Sequence, residues 1–296
     1  MSLQTYSAAD VARRWQNAPE LDPETERRAA LATIDFLADV RGKLSQHLDD
    51  MAKGNAAEDG SDLHAVWDFS GFDPKHLDFL LPTIGEGEVK ILLFNGEARA
   101  ADTGVPGLWR VQAGDEGHAA NSFVLGRLPR TVLVVSERGE TEVPKLVNPS
   151  ADVFAAPAIL EELGHELKEE TASGRIEKLS DDPAFMVELQ RQPLSPGDMT
   201  ALLSTLGTGD IEVELQGFAH SRFTRTRVKN LWRSRIINNS GKTLLDAFVI
   251  ARVPPEVPVS AEEFPEAVRK CTDLIEWIRH DLERGTIGGR REASHA

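Results

Sequence analysis

The stretch DPKHLDFLLPTIGEG, at residues 73–87, has a counterpart 122 residues further along the chain, SPGDMTALLSTLGTG at residues 195–209. Two more pairs follow in the same order: GLWR at 107–110 with NLWR at 230–233, and VLGRLPRTV at 124–132 with VIARVPPEV at 249–257. The offset drifts by only a few residues, as loop insertions produce, and the period is far longer than that of a solenoid. The pattern predicts two tandem copies of one small unit, with the equivalent Trp109 and Trp232 in the core.

Each copy contains a helix whose two ends are marked in the sequence. Asp73 and Ser195 are N-cap residues followed by proline, and Gly85 and Gly207 are suited to end the helix. Alternating hydrophobic residues predict the strands. In the first copy they span 65–69, 89–94, 107–112 and 122–135; in the second they span 211–215, 222–226, 228–237 and 243–253. Residues 238–241 predict a hairpin turn.

We interpret each copy as a related β-α-β-β-β-β unit, of which four strands are located in each copy, and the predicted fold class is α+β with antiparallel sheets and flanking helices. The polar, proline-containing residues 138–150 form the expected boundary. We predict an N-terminal copy with a leading helix at 1–145, a C-terminal copy at 146–285 and a disordered tail at 286–296. Two further helices are expected, one at 156–171 and one that begins at a capping box formed by Ser260 and Glu263.

The composition is that of a folded protein with an acidic surface. The chain has 296 residues, 41% of them hydrophobic, and a formal net charge of −15. This charge opposes general binding to nucleic acid or to an anionic membrane. The single cysteine, Cys271, excludes an internal disulfide and any site that needs several thiolates, such as a self-held iron–sulfur cluster. The sequence shows no signal peptide and no apolar stretch of about 18 residues, so we expect a cytoplasmic protein without membrane insertion.

Short motifs that resemble cofactor or metal sites lack required residues. The glycine pairs at 85–87 and 207–209 follow a helix and precede a strand, which is the reverse of a dinucleotide-binding loop. Gly241-Lys242-Thr243 lacks the earlier glycine of a phosphate-binding loop, and we interpret it as part of the hairpin. His165 lacks the second histidine of a zinc helix and is expected on a helix surface. We predict no cofactor, no metal site, no catalytic residue and no enzymatic activity.

One stretch has an unusual charge. Residues 220–235, HSRFTRTRVKNLWRSR, hold six lysines and arginines and no acidic residue. In a strand, Arg225, Arg227 and Lys229 would share one face. Three interpretations stay open: a solvated face or charge-protected edge, a docking surface for a carboxylate-bearing partner, and RNA binding. The candidate partner-binding residues are His220, Arg222, Arg225, Arg227, Lys229, Arg233 and Arg235.

Several of these sequences resemble the hydrogenase expression/formation proteins of the HupH/HyaF/HoxQ type. LLPTIGEGEV at 80–89 and PGLWRV at 106–111 are similar to the first half of that family. Its C-terminal domain is matched by LGTGDI at 206–211, GFAHS at 217–221, NLWR at 230–233 and VPPEV at 253–257. The resemblance implies an accessory protein, a chaperone, in the maturation of an uptake [NiFe]-hydrogenase. The implied partners are the immature iron–sulfur small-subunit precursor, before its assembly and export, and a thioredoxin-like hydrogenase accessory protein.

The resemblance supplies no catalytic residue. Our hypothesis is that the two copies present sheet faces or edges to an incompletely folded client, by β-augmentation. Residues 220–235 would then supply specificity and a faster encounter through their charge. The alternative is a metal- or nucleotide-binding maturation enzyme of the same pathway, which predicts bound nickel, iron or nucleotide in the purified protein.

Overall fold

All ten strands of the structure join in one antiparallel sheet. The computed structural model describes residues 20–114, 120–217 and 219–289. The strands are β1 (Ala65–Asp68), β2 (Glu86–Leu93), β3 (Ala98–Thr103), β4 (Leu108–Ala113), β5 (Ala120–Leu125), β6 (Phe185–Glu188), β7 (Ile211–Gln216), β8 (His220–Arg225), β9 (Leu231–Ile237) and β10 (Thr243–Ile250). They lie in the order β1-β5-β4-β3-β2-β7-β8-β9-β10-β6. The α+β class is confirmed, but the strands predicted for two sheets form one.

The helices of the described residues lie around this sheet. They are α1 (Pro23–Ala52), α2 (Pro74–Ile84), α3 (Arg130–Ser136), α4 (Ala156–Ser173), α5 (Pro196–Leu206) and α6 (Phe264–Arg284). The chain runs β1-α2-β2-β3-β4-β5 in its first part and β6-α5-β7-β8-β9-β10 in its second. The two series meet where β2 pairs with β7, with Ile91 opposite Val213. Read inward from the β1 edge, the first series lies in the order β1-β5-β4-β3-β2. Read inward from the β6 edge, the second series lies in the order β6-β10-β9-β8-β7, so corresponding strands occupy corresponding places.

The predicted helix ends of α2 and α5 are confirmed. Asp73 accepts a hydrogen bond from the Lys75 amide at 3.0 Å, and the Ser195 hydroxyl accepts one from the Asp198 amide at 2.9 Å. Each helix ends at a glycine with positive φ, 74° at Gly85 and 60° at Gly207. Glycine is needed at these two positions because side chains clash with the backbone in this region of φ and ψ.

Asp198 also joins α5 to the beginning of α4. Its carboxylate accepts hydrogen bonds from the amides of Phe154, Ala155 and Ala156 at 2.7–2.9 Å, and from the Ser195 amide at 2.9 Å. Burial alone would raise the pKa of Asp198, but these amide donors outweigh burial and hold the pKa well below its ordinary value. One buried carboxylate thus satisfies backbone donors of two helices.

Parts of the strand prediction are wrong. The predicted strand at 122–135 ends at Leu125, and Arg130–Ser136 forms α3. The valine-rich sequence of α3 favours a strand locally, but Val132 and Val135 are one helical turn apart and pack together on the sheet. The sequence analysis did not identify β3 or β6. Both are short, and β3 carries alanines instead of the β-branched residues typical of strands.

Three hydrophobic cores cover the sheet. Alternation along β5 puts Phe123 with α1, α2 and α6, and alternation along β10 puts Phe248 with α4 and α5. Both helical layers lie on the same face of the sheet, over its two ends. The opposite face has a continuous core that includes the buried Trp109 and Trp232, as predicted. Their indole Nε1 atoms donate to Gly126 O at 3.1 Å and Ala251 O at 3.0 Å.

The domain division stays a prediction. Contacts cross it, because α6 from the second unit packs against α1 from the first. Part of the predicted tail is packed, since Ile287 is buried and the Gly288 amide donates to Glu26 at 2.7 Å. The predicted tail residues 290–296 and the leading residues 1–19 lie outside the described residues. Within the described ranges, no helix has both the length and the apolar character needed to cross a membrane.

Candidate partner-binding site

The middle of the helix-covered sheet face is open to solvent, between the two helical layers. A row of side chains crosses four strands there, from Glu214 through Arg222 and Arg235 to Asp246, each residue directly opposite the next. We call these residues, together with their neighbours Glu212 and Arg233, the open face. Alternation along β8 explains the row, because Arg222 projects opposite to the buried Phe223.

The arginines of the open face are paired with acidic side chains on adjacent strands. Arg222 contacts Glu214 at 2.6 Å and Glu212 at 3.2 Å, and the hydrogen bond to Glu214 raises the pKa of Arg222. Arg233 binds Asp246 in a bidentate manner, at 2.9 and 2.7 Å. Arg222 and Arg235 lie opposite each other, an unfavourable pair that the flanking carboxylates offset. The positive charge of Arg222, Arg233 and Arg235 is therefore largely neutralised within the sheet.

A cavity of about 320 Å³ lies at one end of the open face. It is lined by Glu214, Leu215, Gln216, His220, Ser221, Arg222, Arg235 and Ile237. Three of the predicted partner-binding residues, His220, Arg222 and Arg235, are thus brought together. Arg235 Nε is buried and has no hydrogen-bond acceptor among the described residues, and the nearest contact of this guanidinium to Asp246 is 3.9 Å. The cavity lining offers hydrogen-bond acceptors from Glu214 and donors from Arg222 and Arg235, so a polar group that both donates and accepts would fit there.

The prediction that Arg225, Arg227 and Lys229 share a strand face is wrong. Strand β8 ends at Arg225, which lies on the same sheet face as Phe223, opposite the open face, and is only 2% exposed. Arg227 and Lys229 belong to the connection to β9, which turns at Asn230 with a φ of 62°. Alternation predicts a shared face only while the chain stays extended, and the sequence carries no strong signal for the end of this strand.

The connection after β8 meets the segment after α3 and forms a second cluster. The Glu140 amide donates to Arg227 O at 2.9 Å, and the Lys229 amide donates to Glu140 O at 2.7 Å. Glu137 forms ion pairs with Lys229 and with Arg252. We call the cations gathered here the basic junction. They are Arg138, Arg225, Arg227, Lys229 and Arg252.

The other motifs behave as structural features. Cys271 is fully buried, and burial raises the pKa of its thiol to about 12, so the thiol is not a nucleophile at neutral pH. His165 is exposed on α4, and Gly241 lies in the predicted hairpin with a φ of 81°. Among the described residues, no group of three or more His, Cys, Asp or Glu side chains is placed to hold a metal ion.

Comparisons with known proteins bear on the same half of the chain. The conserved region described as "HupH hydrogenase expression protein, C-terminal conserved region" matches residues 153–278, which contain the open face. This match and the relatives below support the hydrogenase expression/formation protein family for this chain. It is 23% identical to HupH of Rhizobium leguminosarum bv. viciae, over 77% of this chain and 80% of that protein. It is 24% identical to HoxQ of Cupriavidus necator, over 70% and 71% of the two chains.

Two further relatives carry related names. The hydrogenase-1 operon protein HyaF of Escherichia coli K12 is 22% identical over 70% of each chain. The solved structure of HupH from Thiobacillus denitrificans is 25% identical and covers 41% of this chain and 94% of that one, with a TM-score of 0.35. That score is too low for a statement about the fold. The homologues indicate a hydrogenase expression/formation accessory protein.

The sequence analysis missed the acidic partners of the predicted site. Glu212 and Glu214 alternate with Val213, which predicts a solvent-exposed strand face. Their pairing with Arg222, however, depends on the register between strands. Asp246 lies opposite Arg235, and Glu137 comes from the boundary segment. No local pattern marks such contacts.

Proposed function

We propose that this protein is a chaperone in the maturation of an uptake [NiFe]-hydrogenase, and that it binds the iron–sulfur small-subunit precursor before assembly and export. The observation that carries the proposal is the position of the open face. It lies within the matched region 153–278 and is left uncovered by the helical layers on either side. A partner of mixed charge could exchange its own ion pairs with those of Arg222 and Arg235.

The sheet edges offer a second mode of contact. Strand β6 pairs only with β10 among the described strands, so its other side has unpaired backbone groups. Met186 on this strand is 40% exposed, and Val66 on the opposite edge strand β1 is 54% exposed. An extended, apolar segment of an incompletely folded client could add to either edge by β-augmentation.

The proposal includes the cytoplasm as the site of action and a thioredoxin-like accessory protein as a second partner.

We also propose that the two series of strands are copies of one unit. The shared strand order and the equivalent hydrogen bonds of Trp109 and Trp232 support this. Two similar units would give the client two similar edges, β1 and β6, at opposite ends of one sheet. The proposed division places the first unit at 1–145 and the second at 146–285.

The test is an affinity pull-down from cells that express hydrogenase, read by mass spectrometry, with metal and nucleotide analysis of the eluate. Wild-type protein should recover the small-subunit precursor. The double variant Arg222→Glu/Arg235→Glu should recover several-fold less, and more so at low salt, because it reverses two charges of the open face. Arg279→Glu, at an exposed position of α6, is the matched control and should behave as wild type.

The outcomes separate the chaperone from the alternative. Equal recovery by the double variant, with an unchanged melting temperature, would show that the open face is only a solvated surface. Recovery of no hydrogenase subunit, together with stoichiometric nickel, iron or nucleotide on the bait, would overturn the chaperone in favour of a maturation enzyme.

A further inference from the structure

Arg225 is a buried cation, and two of its donor atoms lack hydrogen-bond acceptors among the described residues. It is the buried member of the basic junction, and the two atoms are Nε and Nη2. A buried donor without an acceptor is costly, and a buried charge more so. The other buried arginine of the described residues is satisfied. Arg127 donates to Val259 O at 2.9 Å and to Leu179 O at 3.1 Å and pairs with Asp181.

Two glycines flank the Arg225 guanidinium. A Cβ atom at Gly209 would lie 2.7 Å from Nη1, and one at Gly139 would lie 2.8 Å from Nη2. Gly139 has a φ of 112°, which only glycine adopts readily. On these two sides the guanidinium therefore packs directly against glycine backbone.

The matching place in the first part of the sheet shows what is missing. Asp102 precedes Thr103 at the end of β3, as Arg225 precedes Thr226 at the end of β8. Its carboxylate also lies against a glycine, Gly87. Asp102 is satisfied, because it accepts hydrogen bonds from the amides of Glu88 at 3.1 Å and Val89 at 2.8 Å. The corresponding arginine has donors in place of acceptors. Asp210 supplies an opposite charge, but no group among the described residues accepts a hydrogen bond from its Nε and Nη2 atoms.

The charges around Arg225 favour an anion. Arg138 adds a like charge and Asp210 an opposite one. Arg227 is exposed, and its guanidinium donates to Thr205 O at 3.2 Å. The five cations of the basic junction exceed the three acidic residues that the contacts place among them, Glu137, Glu140 and Asp210, on a chain whose net charge is −15. Because several cations lie side by side, an extended acidic ligand fits better than a single small anion.

We propose that the basic junction binds an acidic segment of a protein partner, with one carboxylate accepting hydrogen bonds from Arg225 and a neighbouring one pairing with Arg227. The binding of an acidic segment does not depend on the proposed function. Only the identity of the partner, a hydrogenase client, rests on it.

The test measures binding of a fluorescein-labelled hexaglutamate peptide to the full-length protein by fluorescence anisotropy at low salt. Wild type should bind, and Arg225→Met should weaken binding at least tenfold. Its melting temperature should stay the same or rise, because methionine removes an unsatisfied buried charge. Arg227→Gln, at an exposed position, should weaken binding several-fold without affecting folding. Arg279→Gln on α6 is the matched control and should bind as wild type does.

Equal binding by wild type and Arg225→Met would overturn the proposal. If Arg225→Met does not fold, equal binding by Arg227→Gln overturns it. Displacement of the peptide by sodium sulfate, but not by sodium chloride of equal ionic strength, would support an oxyanion site. Binding of sulfate without binding of the peptide would overturn the assignment to a protein partner.

The same variants keep this proposal separate from the proposed function. If Arg225→Met captures the small-subunit precursor as wild type does, the basic junction is not the site of capture, and the chaperone function stands. If wild type binds the peptide through Arg225 but captures no hydrogenase subunit, the acidic-segment site stands and the proposed client is wrong.

Discussion

Asp102 is a half-buried carboxylate whose ionisation opposes folding. Burial raises its pKa to about 6, against the lowering effect of the Val89 and Glu88 amides. The folded-state pKa thus exceeds the ordinary value of 3.8, so the folded protein binds this proton more tightly than the unfolded chain. The resulting stabilisation is fully present below pH 3.8 and is lost as the pH rises through about 6.

We expect Asp102→Asn to remove this pH dependence. Between pH 4 and pH 7, the free energy of unfolding of the variant should improve relative to wild type by an amount on the order of 2 kcal/mol. Chemical denaturation at several pH values measures this difference, and Asp182→Asn, at an exposed position, is the control. A constant difference across this range would show that Asp102 does not titrate there.

Cys271 should report on global unfolding. Its thiol is fully buried in the core between α1, α2 and α6, and its pKa is raised to about 12. We expect no reaction with a disulfide reagent at pH 8 in the native protein and one equivalent after denaturation. Rapid reaction of the native protein would mean that α6 detaches from the core without global unfolding.

At the scale of the elements, the glycines that end α2 and α5 are conformational requirements. Gly207 has a φ of 60°, and a Cβ atom there would lie 2.3 Å from Arg227 Nε. We expect Gly207→Ala to lower the free energy of unfolding by about 1–3 kcal/mol.

Gly42 provides the contrasting control, because it lies within α1 and a Cβ atom there would have no neighbour within 4 Å. Gly42→Ala should stabilise the protein by about 0.5–1 kcal/mol, since alanine favours the helix. Thermal and chemical denaturation measure both variants. Equal effects of the two substitutions would contradict the role assigned to Gly207.

At the scale of the whole molecule, the sheet should unfold as one unit. The core on the face that contains Trp109 and Trp232 combines residues from both series of strands, and α6 completes the core of the first series. We expect circular dichroism and tryptophan fluorescence to show coincident transitions in denaturant.

Ile91→Ala tests the shared core, because Ile91 is fully buried where β2 meets β7. It should lower the free energy of unfolding by about 2–5 kcal/mol and shift the transitions of both probes together. Two separate transitions, of which only one moves, would show that the units fold independently.

The sequence by itself determined the local features of this protein. Cap residues and glycines marked the ends of α2 and α5, alternation marked most strands, and the paired stretches lie in both series of strands and resemble a known family. These features depend on neighbours a few residues apart, which the sequence displays directly. Only the tertiary structure decided that β2 pairs with β7, that the arginines of the open face are neutralised, and that two donor atoms of Arg225 are buried without an acceptor among the described residues. Those outcomes depend on strand register and on contacts between residues far apart in the chain, which local periodicity does not encode.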